Sequence, residues 1–219
     1  MMNERHLIKA VIFDLDGVIV STDEYHYLAW KQLADETGLY FDREMNAKLR
    51  GVSRLDSLNI ILGRQAGSVP EKDKIDLMDK KNLYYKGYLE QLDERSVTED
   101  VGRTLAALRK AGVLLAIGSS SKNAGFILER IGYDAFFDAV ADGNDVKRSK
   151  PDPEVFVLAA ERLGVLCRDC LVVEDSEAGI KAAFACGMRT VGIGYAEENC
   201  RADWNLRKLS DVLSCVKKG

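Results

Sequence analysis

Four short runs rich in valine, isoleucine and leucine recur along the chain: "KAVIF" (9–13), "VLLAIG" (113–118), "LVVED" (171–175) and "TVGIG" (190–194). They are continuous rather than alternating, as strands covered on both faces are, and the segments between them have helical spacing. An α/β protein with a Rossmann-like parallel sheet is therefore predicted. The helical signals agree. "EDVGRTLAALRKAG" (99–112) sets Val101, Leu105 and Leu108 on one face and stops at Gly112, while "DPEVFVLAAERLG" (152–164) and "SEAGIKAAFACG" (176–187) likewise begin after a capping residue and end at a glycine.

The rhythm breaks once. About eighty residues separate the first run from the helix at 99 without a comparable strand, far more than a crossover connection needs. Helical patterns at 23–37, 43–49, 54–65 and 71–90 fill this span, so an all-helical cap inserted into the core is expected. The expected boundaries are 1–20 and 93–219 for the α/β core and 21–92 for the cap, with short joints near 18–22 and 91–97.

Composition narrows the function classes. With a formal net charge of −4, the chain has no overall basic field to gather nucleic acid or an anionic membrane, so neither partner is expected. The apolar run near the start is too short for a membrane span or a signal-peptide core, which leads to an expected cytoplasmic location. The five cysteines, Cys167, Cys170, Cys186, Cys200 and Cys215, are odd in number and confined to the last third, unlike a secreted disulfide framework. Cys167 and Cys170 form a C-x-x-C, but no second pair or nearby histidine completes a zinc site, and a structural role is expected. His6 and His26, the two histidines, are too few for a histidine-rich metal centre.

The first run ends in "DLDG", placing Asp14 and Asp16 where a parallel sheet binds its ligands, beyond the carboxyl ends of its strands. Residues i and i+2 of an extended segment point to one side, so both carboxylates can face one crevice. Like charges that close raise each other's pKa or require a cation, and oxygen donors suit Mg²⁺. Three later features fit the same chemistry. "GSSSKN" offers Ser119, Ser120 and Ser121 to a phosphate; "KRSKPDPEVF" supplies Lys150 to neutralise a phosphoryl group; "LVVEDSEAG" adds the acidic pair Glu174 and Asp175. Singly, each has an ordinary explanation as a turn, a helix cap or a solvated side chain. In this order along one predicted sheet, they point jointly to phosphoryl transfer.

With "DLDGV", the serine after the second strand, the Lys-Pro and "EDS" spread over essentially the whole chain, the sequence resembles the haloacid dehalogenase superfamily of phosphotransferases. The resemblance implies Asp14 as a nucleophile that becomes an aspartyl phosphate and Asp16 as the general acid/base. It also implies Mg²⁺ held by the Asp14 carboxylate, the Asp16 main-chain carbonyl and Asp175 with help from Glu174. Ser119, the Ser120 N–H and Lys150 would bind the phosphoryl oxygens.

A narrower resemblance lies in "DGVIVSTDEYHYLAWKQLADETG", "LRGVSRLDSL" and "GSSSKN", which together look like the β-phosphoglucomutase group. Such enzymes interconvert β-glucose 1-phosphate and glucose 6-phosphate through glucose 1,6-bisphosphate. By that resemblance Thr22, His26 and Trp30 contribute from the first cap helix, with His26 coupling substrate binding to placement of the general acid/base. Arg54 would clamp the phosphate that is not reacting, Gly51, Val52 and Ser57 shaping that side; a planar guanidinium suits the task. Ser121, Lys122 and Asn123 would contact the sugar or distal phosphate, and Lys81 and Asn82 would face it from the long cap helix. Ser21 stands where that group would carry an acidic residue before Thr22. A small sugar phosphate as substrate, glucose 1,6-bisphosphate as phosphorylating activator and a monomeric chain are the implied partners and state.

Other readings share parts of this pattern. A sugar-phosphate phosphatase would use the same core and a similar cap. A phosphonoacetaldehyde hydrolase needs a Schiff-base lysine early in the cap, where Lys31 has no other reason to be desolvated. An aspartate-phosphorylated receiver would lack the helical insert and the second aspartate, and a non-catalytic binding protein would be expected to have lost one of Asp14, Asp16, Lys150 or Asp175.

Overall fold

The computed structural model describes residues 7–49, 52–196 and 200–217. The chain divides into two compact units, Thr22–Leu92 and the remainder, Met1–Ser21 with Asp93–Gly219.

The smaller unit is helical: α1 (Asp23–Thr37), α2 (Arg43–Ala47), α3 (Arg54–Leu62) and α4 (Glu71–Leu89). Trp30, Leu33 and Ala34, at i, i+3 and i+4 on α1, share a core with Leu58, Ile61 and Leu62 of α3. Caps set the element starts: Asp42 accepts from the Met45 N–H and Ser53 from the Asp56 N–H, while Gly38 closes α1 in the left-handed conformation. Helix α4 is charged over most of its surface. Its buried residues are Lys81, Tyr85 and Leu89, a stripe at four-residue spacing. Two helices end sooner than their sequence patterns suggest, at Ala47 and at Leu62, the latter followed by a 3₁₀ turn over Gly63–Gln65.

The larger unit is a six-stranded parallel sheet in the order β3-β2-β1-β4-β5-β6. The strands are β1 (Ala10–Phe13), β2 (Leu114–Gly118), β3 (Ala139–Ala141), β4 (Cys170–Glu174), β5 (Arg189–Ile193) and β6 (Trp204–Leu206). Its helices are α5 (Glu99–Lys110), α6 (Ala124–Arg130), α7 (Glu154–Leu163), α8 (Glu177–Ala185) and α9 (Val212–Lys217). Ala10 and Ile12 of β1 pack with Ala116 and Val172 beneath Val155, Phe156, Ala159, Ala182 and Ala183 from α7 and α8. Alternation sends Val11 and Phe13 to the opposite face, where they too are fully buried. That double burial is why β1, β2, β4 and β5 read as continuous apolar runs.

From β1 the chain builds outward through β2 and β3, then returns to place β4 on the other side of β1. This reversal opens a crevice at the carboxyl ends of β1 and β4. The Lys150–Pro151 peptide bond is cis. Among the described residues, no helix is long and apolar enough to cross a membrane.

Candidate active site

Asp14 follows β1 directly, and its N–H donates to the Val173 carbonyl at 2.9 Å, carrying the pairing with β4 one residue further. Since Phe13 is in register with both Ile117 and Val173, Asp14 emerges between the end of β2, which leads to Ser119, and the end of β4 at Glu174. Lys150, only 5% exposed, reaches this point from the segment after β3. Its Nζ lies 2.5 Å from Asp14 Oδ1 and 2.6 Å from Glu174 Oε1, and 4.6 Å from the centre of the Phe156 ring. Burial works against the ammonium, but the Asp14 and Glu174 carboxylates outweigh it and hold the Lys150 pKa above the ordinary lysine value. For Asp14 burial wins: it pushes the carboxyl above the usual range against the pull of Lys150, with Glu174 and Asp16 adding to the rise.

Glu174 is 1% exposed and nearly saturated. Oε1 accepts from Lys150, and Oε2 accepts from both the N–H and the hydroxyl of Ser176 at 2.7 and 2.8 Å. A carboxylate offers about four lone-pair sites, so a single one is left for a cation. The residue expected to help hold magnesium is thus first the anchor of Lys150. Ser176 completes the arrangement by capping α8, its Oγ accepting from the Gly179 N–H at 3.1 Å.

Asp175 sits against the "DLDG" turn. A Cβ on Gly17 would lie 2.2 Å from Asp175 Oδ2, and Gly17 has φ +88°, so this position requires glycine for both conformation and space. The turn is fastened by the Gly17 N–H to the Val20 carbonyl, 2.8 Å, and by the Ile19 and Val20 N–H groups to the Leu15 carbonyl.

The three serines form the opposite wall. Ser119 donates its N–H to the Ala141 carbonyl at 3.0 Å, its Oγ accepts from the Ser121 N–H at 3.1 Å, and Ser121 Oγ accepts from the Asn123 N–H at 3.2 Å. The Ser119 and Ser121 hydroxyls, accepting from the main chain, keep their protons available to an anion. Among the described residues Ser120 Oγ is buried with no hydrogen-bond partner, an orphan in need of a ligand group. Lys122 is exposed and Asn123 buried. Behind the loop, the Gly143 N–H donates to the Ser121 carbonyl at 3.2 Å and Asn144 Nδ2 to the Lys122 carbonyl at 3.0 Å.

The donor set fits magnesium. Asp14, Asp16, Glu174 and Asp175 bring four carboxyl groups against the one ammonium of Lys150, an imbalance that a divalent cation relieves. All donors are oxygens, which suits a hard cation. Among the described residues no three His, Cys, Asp or Glu side chains converge closely enough to ligate an ion alone. Two carboxylates, Asp14 and Asp175, with the Asp16 carbonyl would therefore leave positions for water and a phosphoryl oxygen, the usual make-up of a magnesium site.

The helical unit holds a constellation of its own. Lys81 of α4 is 3% exposed and its Nζ lies 2.9 Å from His26 Nδ1. An ammonium can only donate, so Nδ1 carries the lone pair and the neutral ring keeps its proton on Nε2. Desolvation lowers the His26 pKa well below its ordinary value, and the Lys81 and Arg54 charges lower it further. The Lys81 ammonium also rests 5.0 Å from the Trp30 ring and 4.5 Å from the Tyr85 ring. Arg54, at the start of α3, donates from Nη2 to Asn82 Oδ1 at 3.0 Å, its pKa lowered by burial. Ser57 is buried one turn along from Arg54; Thr22 is buried ahead of α1, its carbonyl accepting from the His26 N–H at 3.0 Å; Val52 is half-buried. Gly51 lies outside the described residues. With the histidine neutral, Lys81 and Arg54 make this group an anion-attracting pole.

The profile of the haloacid dehalogenase-like hydrolase family matches residues 8–187. The chain belongs to that family. Among its relatives, a β-phosphoglucomutase of Bacillus subtilis is 41% identical over 207 residues, 94% of this chain and 92% of that protein. A fructose-1-phosphate phosphatase of Escherichia coli is 32% identical over 192 residues, 88% of this chain and 98% of that protein. Among solved structures, a β-phosphoglucomutase from Clostridium difficile superposes with a TM-score of 0.90 at 33% identity, covering 97% of this chain and 96% of the other. Magnesium-dependent catalysis is general among the haloacid dehalogenase-like phosphoglucomutases, in keeping with the oxygen donors around Asp14.

Several residues that build this family member's sites carry no chemical signature in the sequence. Ser176 and Gly179 hold Glu174, and Gly143 backs the serine loop. Tyr85 packs against His26 with ring centres 4.1 Å apart and the ring planes tilted by 32°. Its signal was positional: Lys81 and Tyr85 are four apart on one helix, so a side chain facing His26 implies the next on that stripe. Gly179, inside a helical run where glycine is costly, was a cue to close approach.

Proposed function

We propose that the chain is a β-phosphoglucomutase, interconverting β-glucose 1-phosphate and glucose 6-phosphate. The observation that carries this reading is that each unit has its own anion-directed set. The core has Asp14, Lys150 and the serine loop; the helical unit has Arg54, Lys81 and Asn82 around a neutral His26. A phosphatase needs one phosphate site, whereas a mutase working through a bisphosphate needs two. The 41% identity to a β-phosphoglucomutase over nearly the whole chain supports the same choice.

In this mechanism the Asp14 oxygen that Lys150 does not engage attacks phosphorus; the new O–P bond forms as the bond from phosphorus to the sugar oxygen breaks. Asp16 gives a proton to the departing sugar oxygen and takes one from the incoming hydroxyl. Lys150, the Ser119 hydroxyl and the Ser120 N–H hold the equatorial oxygens. Magnesium, when bound by Asp14, the Asp16 carbonyl and Asp175, supplies the charge neutralisation that one lysine cannot. Glucose 1,6-bisphosphate primes Asp14. The 6-hydroxyl of β-glucose 1-phosphate then receives that phosphoryl group, and the bisphosphate, turned end for end, returns its C1 phosphoryl group to Asp14 and leaves glucose 6-phosphate. Arg54, Lys81 and Asn82, with Ser57, Val52 and Gly51 beside them, serve the phosphate at rest in either orientation. Thr22, His26, Trp30, Ser121, Lys122 and Asn123 contact the sugar or distal phosphate, His26 linking substrate binding to placement of Asp16.

A coupled assay for glucose 6-phosphate from β-glucose 1-phosphate with Mg²⁺, with and without glucose 1,6-bisphosphate, tests the proposal. Isomerisation stimulated by the bisphosphate supports it; release of inorganic phosphate without isomerisation refutes it. The second outcome would favour a sugar-phosphate phosphatase, the reading that similarity to the Escherichia coli fructose-1-phosphate phosphatase suggests.

A further inference from the structure

Lys150 is a long, flexible side chain that has to stand at one point, between Asp14 and Glu174. The segment that carries it, 142–153, is a run of turns and bends between β3 and α7, so helix or sheet pairing does not fix where its main chain lies. Another support does. Glu154, the first residue of α7, turns its carboxylate back on this segment: Oε1 accepts from the Lys147 N–H at 3.2 Å and Oε2 from the Arg148 N–H at 2.9 Å. Each oxygen takes one of two successive N–H groups, the nearer of them two residues ahead of Lys150. From the other side of Lys150, Asp152 closes the arrangement, its Oδ1 accepting from the Glu154 N–H at 3.0 Å and its Oδ2 lying 3.0 Å from Arg148 Nε. The next two residues, Val155 and Phe156, are buried in the core against the sheet, so the carboxylate is mounted on a rigid base. The Lys147 and Arg148 N–H groups hold the Glu154 carboxyl below the usual carboxylate range, and it is ionised near neutral pH.

We infer that Glu154 is a positioning residue for Lys150: by binding the Lys147 and Arg148 N–H groups it fixes the main chain from which the lysine reaches the phosphoryl oxygens. The inference rests on the phosphoryl-binding role proposed above for Lys150. An acid in the first turn of a helix also suits the helix dipole, and Glu154 lies 3.7 Å from the exposed Arg148 guanidinium, a pairing of little worth at a surface. Neither effect would act through Lys150, and that separates them from positioning.

The test is a double-mutant cycle on kcat/KM for p-nitrophenyl phosphate hydrolysis at saturating Mg²⁺, at protein concentrations that keep the Lys150→Ala rate measurable. Glu154→Gln sets an amide –NH₂ against one of the two N–H groups; Glu154→Asp keeps the charge at the start of α7 but withdraws the carboxylate by one bond, about 1.5 Å. Each should lower kcat/KM about tenfold in the parent, part of the roughly 10²-fold that a 1 Å misplacement costs, and change it by less than about twofold in Lys150→Ala, where no lysine is left to position. Equal losses in the two backgrounds, as a general loosening of the fold would give, or parent-like rates in folded Glu154→Gln and Glu154→Asp chains, would overturn the inference while leaving the role of Lys150 intact. Full activity in Lys150→Ala would instead remove Lys150 from the phosphoryl site, and the inference with it.

Discussion

Replacing Gly179 with alanine sets two effects against each other. Gly179 lies in the first turn of α8, where helix propensity alone favours alanine by about 1 kcal/mol. The structure gives the opposite sign. An added Cβ would stand 1.9 Å from both Cδ and Oε1 of Glu174. To regain ordinary contact the buried carboxylate must retreat by about 1.5 Å, since non-bonded carbon and oxygen attract only beyond the point of overlap. Oε1 is the oxygen that holds Lys150 at 2.6 Å, so this retreat takes the bond out of hydrogen-bonding range. Overpacking costs about 1–3 kcal/mol and a charge-assisted hydrogen bond about 1.5–3 kcal/mol, so the variant should lose about 3 kcal/mol even after the helix gain. Lys150, released from one of its two anchors, should reach the phosphoryl group poorly, and kcat should fall by about 10²-fold, the scale of a 1 Å misplacement. Urea denaturation and steady-state turnover of a phosphate ester at saturating Mg²⁺ read both effects. A Gly179→Ala chain as stable and active as the parent would refute the link from Gly179 through Glu174 to Lys150.

Four further outcomes follow from the two sites. Asp14→Asn should remove phosphoryl transfer by more than about 10³-fold, as loss of a nucleophile does, while circular dichroism shows the parent fold. Arg54→Ala should raise KM for the sugar phosphate by roughly 10- to 100-fold, the worth of a charge-assisted contact, and leave hydrolysis of p-nitrophenyl phosphate unchanged; equal losses would remove Arg54 from the distal-phosphate role. Chelation with EDTA should stop turnover and added Mg²⁺ restore it, with Asp175→Ala demanding more Mg²⁺ for half-maximal rate. His26 titrates in the folded chain well below the 6.5 of a free side chain, so between those values the unfolded chain binds a proton that the folded chain refuses. Stability should therefore hold above pH 6.5 and fall as pH drops below it, and His26→Gln should lose less across that window in parallel denaturant titrations.

The central strands and the charged residues at their ends were legible because burial on both faces writes itself as an unbroken apolar run, and because "DLDG", "SSSK", "KP" and "EDS" follow in sheet order. The helical insert was legible from its length. Strands β3 and β6 were not: each has three residues, too few to show a period, and "AVA" and "WNL" occur in any fold. Glu174 shows a deeper limit. Its type and place suggest help in holding a metal; that two donors on Ser176 and one on Lys150 also claim its lone pairs leaves no mark on spacing.

The most direct measurement follows one phosphoryl group. Protein incubated with Mg²⁺ and radiolabelled glucose 1,6-bisphosphate is mapped for label, then chased with unlabelled β-glucose 1-phosphate. The account predicts label on Asp14 before the chase and in sugar bisphosphate after it, with little inorganic phosphate. Label on another residue, or its quantitative release as inorganic phosphate during the chase, would contradict it.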